Sequence, residues 1–370
     1  MKEPLHLQIK ELRKAKNVTQ RELAEVLHVS YQTISKWENG VVMPDISYLP
    51  ELALYFETDV EVILGMRPLK QEIVCQDFTD KTYWDKELDR TKQWKRFYFN
   101  DDYLEFLVKK VWHFDRPVHM LDCACGYGYL AETLFPHLPE GSRYTGFDVS
   151  EVYLKEAEKR FGAGHPAVQF CKGNILDYQS QETYDLVISQ MILTYLPEPE
   201  TALDRMLSFL KPGGMLVSID ISLPMAEAGV FLADQRGVFQ PDFPDRQRIW
   251  ERMEAMGEMN WQTGTKMAWY FREKGLQGIK ARLSDRVFVY DGKGEGNDPG
   301  EIRSYQEVLE HLERFEKGYA FYMNRGCSLP EAEAFVNYQE EVRTMLKNPD
   351  VFVSKAGGLY ITWGYKEGKL

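Results

Sequence analysis

The sequence predicts an α/β domain built on a parallel sheet, preceded by a small all-α domain. Residues 118–122 (VHMLD) form an apolar run that breaks into CACGYGYL, as expected for a buried strand, a tight loop and a helix that begins near Tyr129. Residues 143–148 (RYTGFD) are a second run that ends in an acid, and the helical stretch SEVYLKEAEKRF follows it. Residues 1–66, in contrast, have the spacing of five short helices.

Length and composition agree with two domains of unequal size. The chain has 370 residues, of which 44% are hydrophobic, enough for one large core and one small one. Its formal net charge of -12 argues against a surface built mainly for nucleic acid, but a local basic patch remains compatible with it. No run of about 18 apolar residues exists, and residues 1–10 lack the apolar core of a signal peptide, so we expect no membrane span and no export.

The cysteines are scattered, odd in number and mostly set in apolar sequence, which favours reduced thiols in a cytoplasmic protein. They are Cys75, Cys123, Cys125, Cys171 and Cys327. Cys123 and Cys125 lack a second Cys or His pair at ligand spacing. We therefore expect no metal site.

The first domain is predicted over residues 1–66. Thr19 followed by Glu22 three residues later is a capping box, which announces the second helix. A short turn separates that helix from a third over 31–39, which Gly40 ends. A fourth helix follows the Pro44 break, and a last turn runs from 59 to 64. A tight turn between the second and third of five short helices is a helix-turn-helix layout.

The residues TQRELAEVLHVSYQTISKWENG, with PDISYLPELALYF after them, resemble the Cro and lambda-repressor type of DNA-binding domain. The resemblance implies that three side chains face the major groove, namely Tyr31, Gln32 and Lys36. It implies that three more touch phosphate, namely Gln20, Thr33 and Asn39. Gln32 is the expected base reader, because an amide pairs bidentately with adenine. The resemblance also implies a structural Arg13–Glu38 pair, and a homodimer, because paired half-sites need paired domains.

The alternative is a docking or dimerisation module that no longer binds DNA. Residues 1–66 hold seven Lys and Arg against ten Asp and Glu, which is unfavourable for counterion release. The basic residues nevertheless cluster around the first three helices. They are Lys10, Lys14, Lys16, Arg21 and Lys36.

A linker is predicted over 67–82 and a second domain over 83–370. The linker contains Pro68 and mixed charges, and its length allows the two domains to move independently. Residues 83–113 are aromatic and helix-like. Their aromatic side chains either cover a ligand or pack a helix on the sheet, and the sequence favours neither for any one of them.

The loop after 118–122 is the predicted ligand site. Glycines at 126 and 128 lack the Cβ atoms that would hold a ligand away from the backbone, and the helix behind them presents unpaired N–H groups. Asp148 ends the next strand, 26 residues after Asp122. In this layout of strand, glycine turn, helix, strand and acid, the acid accepts hydrogen bonds from a ribose.

With KGNILD (172–177), YDLVISQMILTYL (184–196) and LKPGGMLVSID (210–220), these residues resemble the class I S-adenosylmethionine-dependent methyltransferases. The resemblance implies a Rossmann-like seven-stranded methyltransferase sheet with its final strand inserted antiparallel. It is clearest over the core, 118–220. The implied cofactor is S-adenosylmethionine, with S-adenosylhomocysteine as product, and the implied partner is a methyl acceptor.

Residues are carried over to the cofactor site one by one. The expected set is Asp122, Ala124, Gly126, Gly128, Asp148, Val149, Asn174, Ile175, Gln190 and Tyr83. Asp122 would balance the donor ammonium, Asp148 would take both ribose hydroxyls, and Asn174 would accept from the adenine amino group, with Asp177 a less favoured substitute. Gln190 and Tyr83 would lie near the methyl donor, as would Trp84. Ala124 departs from the pattern, which has glycine there, and should be tolerated if its backbone angles are ordinary.

Methyl transfer to an activated carbon depends mainly on alignment and exclusion of water. The segment after the fourth strand contains neither an Asn/Asp-Pro-Pro-aromatic motif nor a Pro-Cys nucleophile, so the resemblance points to a small-molecule acceptor and not to a DNA base. Tyr195 is the candidate polar contact to substrate, and a packed aromatic is the alternative. No residue pattern separates O-, N- and C-methylation.

The C-terminal part is less specific. Residues 224–261 are predicted to be loop-like, and a helical insertion is predicted at about 291–350, with Tyr319, Phe321, Tyr322 and Phe335 lining the site or packing its helices. Three functions remain open. The chain is a methyltransferase with a regulatory DNA-binding domain that couples metabolism to transcription, a transcription regulator that senses a ligand without turnover, or a methyltransferase with a docking domain that does not bind DNA.

Overall fold

A computed structural model gives the fold of the chain. It describes residues 7–16, 18–56, 58–66, 81–95, 99–100, 102–161, 165–239, 246–294, 302, 305–306, 318–327 and 329–368. Most of the predicted linker therefore lies outside the described residues, as do Cys75 and much of the predicted insertion. The chain divides into two compact units. One holds Met1–Val74, Pro241–Arg252 and Glu313–Arg343, and the other holds Cys75–Gln240, Met253–Leu312 and Thr344–Leu370.

The N-terminal segment forms five helices in the residues described. They are α1 (Ile9–Ala15), α2 (Gln20–Val26), α3 (Tyr31–Glu38), α4 (Tyr48–Phe56) and α5 (Val60–Ile63). The predicted capping box is present: the Thr19 side chain accepts from the Glu22 N–H, and the Glu22 carboxylate accepts from the Thr19 N–H. Ser30 caps α3 by accepting from the Thr33 N–H at 3.1 Å.

Apolar residues at helical spacing form the core of this segment. Ile9, Leu23, Ile34, Leu52 and Ile63 come from five different helices and are fully buried together. Beside them, Arg13 Nε donates to Glu38 Oε1 at 2.5 Å, which ties α1 to the end of α3, as the resemblance implies.

A seven-stranded sheet forms the framework of the second unit. Its strands are β1 (His119–Cys123), β2 (Arg143–Asp148), β3 (Val168–Lys172), β4 (Tyr184–Gln190), β5 (Leu210–Ile221), β8 (Gln277–Leu283) and β11 (Leu359–Tyr365). The spatial order is β3-β2-β1-β4-β5-β11-β8. The first five strands are parallel, and β11 is antiparallel to both β5 and β8. This topology confirms the predicted Rossmann-like sheet with an antiparallel final strand.

Helices and short turns surround this sheet, and apolar residues that alternate along its strands bury both faces. Before β1 lie α6 (Lys81–Trp84), α7 (Leu88–Lys95) and α8 (Tyr103–Phe106), which continues as a π-helix over Leu107–Trp112. Between the strands lie α9 (Tyr129–Thr133), a 3₁₀ turn (Phe135–His137), α10 (Glu151–Phe161), a second 3₁₀ turn (Leu193–Tyr195) and α11 (Pro199–Phe209).

The prediction of a loop over 224–261 is wrong. This segment contains α12 (Leu223–Ala228), β6 (Val230–Asp234), β7 (Gly237–Phe239) and α13 (Arg246–Ala255). β6 and β7 join β9 (Val287–Asp291) and β10 (Phe352–Ala356) in a separate antiparallel sheet of order β7-β6-β10-β9. Strands of three and five residues carry too little periodicity to be recognised. β6 and β7 form a hairpin, but β10, which pairs with both β6 and β9, begins more than 50 residues after β9 ends.

Three further helices complete the described structure: α14 (Thr263–Glu273), α15 (Tyr319–Asn324) and α16 (Leu329–Leu346). Tyr322 of α15 stacks on Phe335 of α16, with ring centroids 4.6 Å apart and both side chains buried, which favours packing over ligand contact for this pair.

Among the described residues, none of the helices is long and apolar enough to cross a membrane. The four cysteines described are free thiols.

Candidate active site and DNA-recognition helix

The candidate site lies where the parallel strands end. β2, β1, β4 and β5 are consecutive parallel strands, so their carboxyl ends meet at one edge of the sheet. Ligands of open parallel sheets bind at this edge. Asp148 and Gln190 are the last residues of β2 and β4.

The glycine loop follows β1. Its backbone is left-handed at three positions, Ala124 (φ 60°), Gly126 (φ 56°) and Gly128 (φ 81°). The condition under which Ala124 would be tolerated without cost, ordinary backbone angles, is therefore not met. A Cβ at Gly126 would meet only Tyr153 Cδ2, at 3.9 Å, so the loop leaves open space beside its backbone.

Asp148 joins the loop to the end of β2. Its Oδ2 accepts from the Gly126 N–H and its Oδ1 accepts from the Ser150 N–H, both at 2.9 Å. The Cys125 N–H donates to the Phe147 carbonyl at 2.9 Å. These bonds hold the glycine loop against the end of the neighbouring strand and fix the orientation of the carboxylate.

Asp122 lies on a face of the sheet. Only 1% of its surface is exposed, and its Oδ2 accepts from the Tyr144 hydroxyl at 2.6 Å. Burial, together with this neighbouring carboxylate, raises the pKa of Tyr144, so the phenol stays protonated and acts as donor.

The turn after β3 carries the predicted adenine residues. The Gly173 N–H donates to the Asp148 carbonyl at 3.1 Å, which brings this turn to the end of β2. Asn174 Oδ1 accepts from the Leu176 N–H at 3.0 Å. One acceptor site of the Asn174 side chain is therefore used within the turn that it begins. Ile175 is buried in the apolar cluster under the sheet, and Val149 is half-buried.

The segment before β1 reaches two of these strand ends. Ser150, which follows β2, donates from Oγ to Asp85 Oδ1 at 2.6 Å. Trp84 meets Tyr195, which follows β4, with ring centroids 5.2 Å apart in an edge-to-face contact. Tyr83 packs on Trp84 in the same way at 5.1 Å. Because β1 lies between β2 and β4, residues 84 and 85 span the end of β1 and its glycine loop.

Two more bonds hold this segment to α10. Thr91 Oγ1 and the Tyr153 hydroxyl share a hydrogen bond of 2.7 Å, and Lys92 pairs with Glu156 at 2.7 Å. These contacts, and the bond between Asp85 and Ser150, were not predicted, because each pair is separated by more than 60 residues and none belongs to a motif.

A buried acid supports the turn after β4. Asp220, one residue before the end of β5, is fully buried, and its Oδ2 accepts from Ser218 Oγ at 2.6 Å. Burial raises its pKa to about 7 although its hydrogen bonds oppose the shift. Asp220 carried no predicted role, yet an acid inside the run MLVSIDI, which is apolar apart from Ser218, was a visible signal.

The recognition helix is exposed where the resemblance requires it. Tyr31 is 48% exposed, and the side chains of Gln32 and Lys36 are also exposed. Gln32 and Lys36 lie four residues apart and so share one face of α3. The guanidinium of Arg21 lies 5.8 Å from the Tyr31 ring centroid.

The three predicted phosphate contacts also have partners inside the domain. Gln20 Nε2 donates to Glu38 Oε2 at 2.7 Å, and Asn39 Nδ2 donates to the Ser35 carbonyl at 2.7 Å. Thr33 Oγ1 lies 2.9 Å from Ser30 Oγ at the start of α3.

Within the described residues, no group of three or more His, Cys, Asp or Glu side chains forms a metal site.

Two family models match the chain. A methyltransferase domain matches residues 115–275, and a helix-turn-helix matches residues 9–63. Both matches coincide with the elements described above.

Curated relatives match the methyltransferase part. Malonyl-[acyl-carrier protein] O-methyltransferase of Halalkalibacterium halodurans is 32% identical over 107 residues, which are 28% of this chain and 39% of that protein. Trans-aconitate 2-methyltransferase of Paracidovorax citrulli is 33% identical over 100 residues, 26% of this chain and 36% of that protein. The chain thus spans about two fifths of the length of the curated relatives it matches.

Solved structures with methyltransferase titles also match. Phosphoethanolamine N-methyltransferase 2 of Haemonchus contortus is 13% identical, with 78% of this chain and 58% of that chain covered and a TM-score of 0.42. A sarcosine dimethylglycine methyltransferase of Galdieria sulphuraria is 16% identical, with 73% and 85% covered and a TM-score of 0.39. From the sheet order and the two family models, the chain carries a class I, Rossmann-like methyltransferase domain and an N-terminal helix-turn-helix domain.

Proposed function

We propose that this chain is an S-adenosylmethionine-dependent methyltransferase that acts on a small molecule and binds DNA through its helix-turn-helix domain. The observation that carries the proposal is the bond from the Gly126 N–H to Asp148 Oδ2, at 2.9 Å. It joins a glycine loop with open space beside it to an acid at the end of the next parallel strand. That combination fits a nucleoside whose ribose hydroxyls bind a carboxylate.

The residues present fit the donor. Asp148 would take the ribose hydroxyls, since a carboxylate offers about four acceptor sites. The glycine loop would lie along the amino-acid part, with Asp122 acting on its ammonium directly or through water. Asn174 and Ile175 would border the adenine, beside Val149.

For methyl transfer, the main tasks of the protein are to align the two reactants and to exclude water. The bound donor supplies a methyl group on a sulfonium, a carbon already activated for displacement. Gln190, Tyr83 and Tyr195 would border that group, because they lie at or over the end of β4. Residues 84 and 85, which span the glycine loop, would shield it from solvent.

The acceptor is proposed to be a small molecule. The absence of the two sequence motifs for presenting DNA bases supports this choice. Relatives named for malonyl-[acyl-carrier protein], trans-aconitate and ubiquinone biosynthesis make carboxylates and phenols the first acceptors to screen.

The first test is calorimetric titration with S-adenosylmethionine and S-adenosylhomocysteine. Asp148→Ala should weaken both by at least tenfold, about 1.4 kcal/mol, whereas Asp115→Ala, an exposed acid before β1, should leave both within twofold. If the wild type binds neither ligand, the enzymatic proposal is wrong.

A second candidate is a regulator that senses the donor without turnover. The exposed face of Gln32 and Lys36 favours a DNA-binding role, while the acidic excess of residues 1–66 favours a docking role instead. Selection from a random DNA library, repeated with and without S-adenosylmethionine, distinguishes the DNA-binding hypothesis from the docking hypothesis. A selected sequence whose affinity changes with the donor, in a protein that turns over none of the screened acceptors, would favour the regulator. A homodimer in the cytoplasm is the assembly we propose for either case.

A further inference from the structure

The 3₁₀ turn Leu193–Tyr195 is bonded to one buried carboxylate, that of Asp220 in β5. The Thr194 N–H and the Thr194 Oγ1 both donate to Asp220 Oδ1, each at 3.3 Å. Ser218 occupies the other oxygen of the carboxylate at 2.6 Å. Thr194, Ser218 and Asp220 are all 1% exposed or less, so water does not compete for these bonds.

The same turn is held from its other side by Asn260. The Asn260 N–H donates to the Thr194 carbonyl at 2.7 Å, and Asn260 Nδ2 donates to the Leu196 carbonyl. Thr263 Oγ1, at the start of α14, donates in turn to the Asn260 carbonyl at 2.7 Å. Donors and acceptors of the turn are thus both satisfied by backbone and side-chain groups from other parts of the chain, which is more than a surface turn requires.

Backbone strain marks the same place. Met191, the first residue after β4, has a φ of 58°, the left-handed region that costs a non-glycine residue about 1–2 kcal/mol. Its N–H donates to the Ile219 carbonyl of β5 at 2.8 Å, which holds it there. Ala124 is strained in the same way at the end of β1, the strand that pairs with β4. A residue stays in such a strained conformation only where the surrounding contacts hold its backbone there, and strained residues cluster at functional sites.

The turn presents an aromatic pair to the site. Tyr195 follows Thr194 directly and contacts Trp84, whose neighbour Asp85 is bonded to Ser150 at the end of β2. The turn after β4 is therefore connected to the end of β2 through Trp84 and Asp85. A sulfonium is a cation, and cations are attracted to aromatic faces, whereas the thioether of S-adenosylhomocysteine carries no charge.

We propose that Asp220 is a positioning residue that fixes the Leu193–Tyr195 turn and so sets the Tyr195 and Trp84 rings against the charged end of the methyl donor. Asp220 is fully buried behind the turn and binds it through Thr194 and the backbone of Leu193. The statement about the donor rests on the proposed function, whereas the statement about the turn does not.

The test compares Asp220→Ala with Asp220→Asn in the full chain. Asparagine keeps one oxygen that can accept from Thr194, and Ser218 can rotate to accept from its amide, so it should restore what alanine loses. Hydrogen exchange of peptides covering 191–196 should be at least tenfold faster in Asp220→Ala and within threefold of wild type in Asp220→Asn. A peptide covering 143–148 of β2 is the internal control and should exchange at the wild-type rate in both.

The second readout is the ratio of the dissociation constants for S-adenosylhomocysteine and S-adenosylmethionine. Asp220→Ala should change this ratio by at least threefold and Asp220→Asn should not, because a purely structural loss would weaken both ligands equally. If Asp220→Ala does not fold, Thr194→Val against Thr194→Ser tests the same bond, since only serine keeps the hydroxyl.

The outcomes separate the two proposals. Equal acceleration of all peptides, or an unchanged 191–196 peptide, would overturn the role of Asp220 in the turn. Faster exchange of that peptide with an unchanged ligand ratio would overturn its role toward the donor. A wild type that binds neither ligand would instead defeat the proposed function, and the exchange measurement would still decide whether Asp220 holds the turn.

Discussion

Thr194 donates to Asp220 Oδ1 through both its N–H and its hydroxyl, across 26 residues of sequence. The acid is fully buried, and its pKa is raised to about 7 because burial disfavours the charged form more than these bonds favour it. The folded state therefore binds a proton more tightly than the unfolded chain does.

The first prediction follows from this linkage. Stabilisation by protonated Asp220 is complete below the unfolded pKa of about 4 and is lost as the pH rises through about 7. Urea unfolding between pH 4 and 8 should show the stability of Asp220→Asn rising relative to wild type over this range, by at most roughly 4 kcal/mol. Asp185→Asn is the control, because hydrogen bonds from Lys211 and the His119 N–H lower the pKa of Asp185 against its desolvation. Its stabilisation is lost only as the pH falls below about 4, so its difference from wild type should stay nearly constant between pH 4 and 8. A flat difference for Asp220→Asn would contradict the prediction.

The second prediction concerns Ala124, whose φ of 60° favours glycine. Ala124→Gly should raise the free energy of unfolding by about 0.5–1 kcal/mol, since relief of about 1–2 kcal/mol of strain exceeds the entropic cost of glycine. Thermal and urea unfolding measure the change. Ala131→Gly, in the regular helix α9, should destabilise instead, and the same sign for both variants would refute the argument.

The third prediction concerns Gly128, at the start of α9. A Cβ there would lie 3.1 Å from Phe170 Cζ, 3.2 Å from Phe161 Cε2 and 3.3 Å from Ala157 Cβ, with φ at 81°. Gly128→Ala should cost about 2–4 kcal/mol, from strain and overpacking together. Gly275→Ala, with φ at 77° and no atom within 4 Å, isolates the strain and should cost about 1–2 kcal/mol. Equal losses in urea unfolding would show that crowding at Gly128 is absent.

The fourth prediction concerns DNA and uses the sequence selected from the random library. Lys36→Ala should weaken binding to all sequences and reduce the salt slope by about one, because it removes one phosphate or groove cation. Gln32→Ala should lose about 1–3 kcal/mol of discrimination at one base pair. Lys109→Ala, an exposed lysine beside Glu105 in the second unit, is the charge-matched control and should change neither quantity. Fluorescence anisotropy at several salt concentrations gives the affinity and its salt slope. Unchanged affinity in both α3 variants would favour the hypothesis that the domain is a docking module.

The elements that could be predicted are those whose cause is local. Thr19 and Glu22 are three residues apart and cap a helix by themselves, so their bonds could be foreseen. The run 118–122 and the acid Asp148 sit in strands whose apolar character is visible without their neighbours. The order of the sheet followed from the family pattern of these strands.

The errors have a different origin. The second sheet was missed because its strands are short and because β10, which joins the β6–β7 pair to β9, lies far along the chain from both. The left-handed angle of Ala124 was missed because the neighbouring strand holds the loop, through the bond to Phe147, in a turn that alanine does not prefer.

By itself, the sequence determined two domains, the helix-turn-helix, the parallel sheet and the position of the glycine loop, since spacing and residue type decide these within a few turns or strands. Only the tertiary structure decided which polar groups meet at the carboxyl edge: Asp85 with Ser150, Thr194 with Asp220, and Trp84 with Tyr195. The reason is physical. A hydrogen bond or a raised pKa depends on burial and on distances of a few ångströms between residues that the chain separates by 26 to 111 positions.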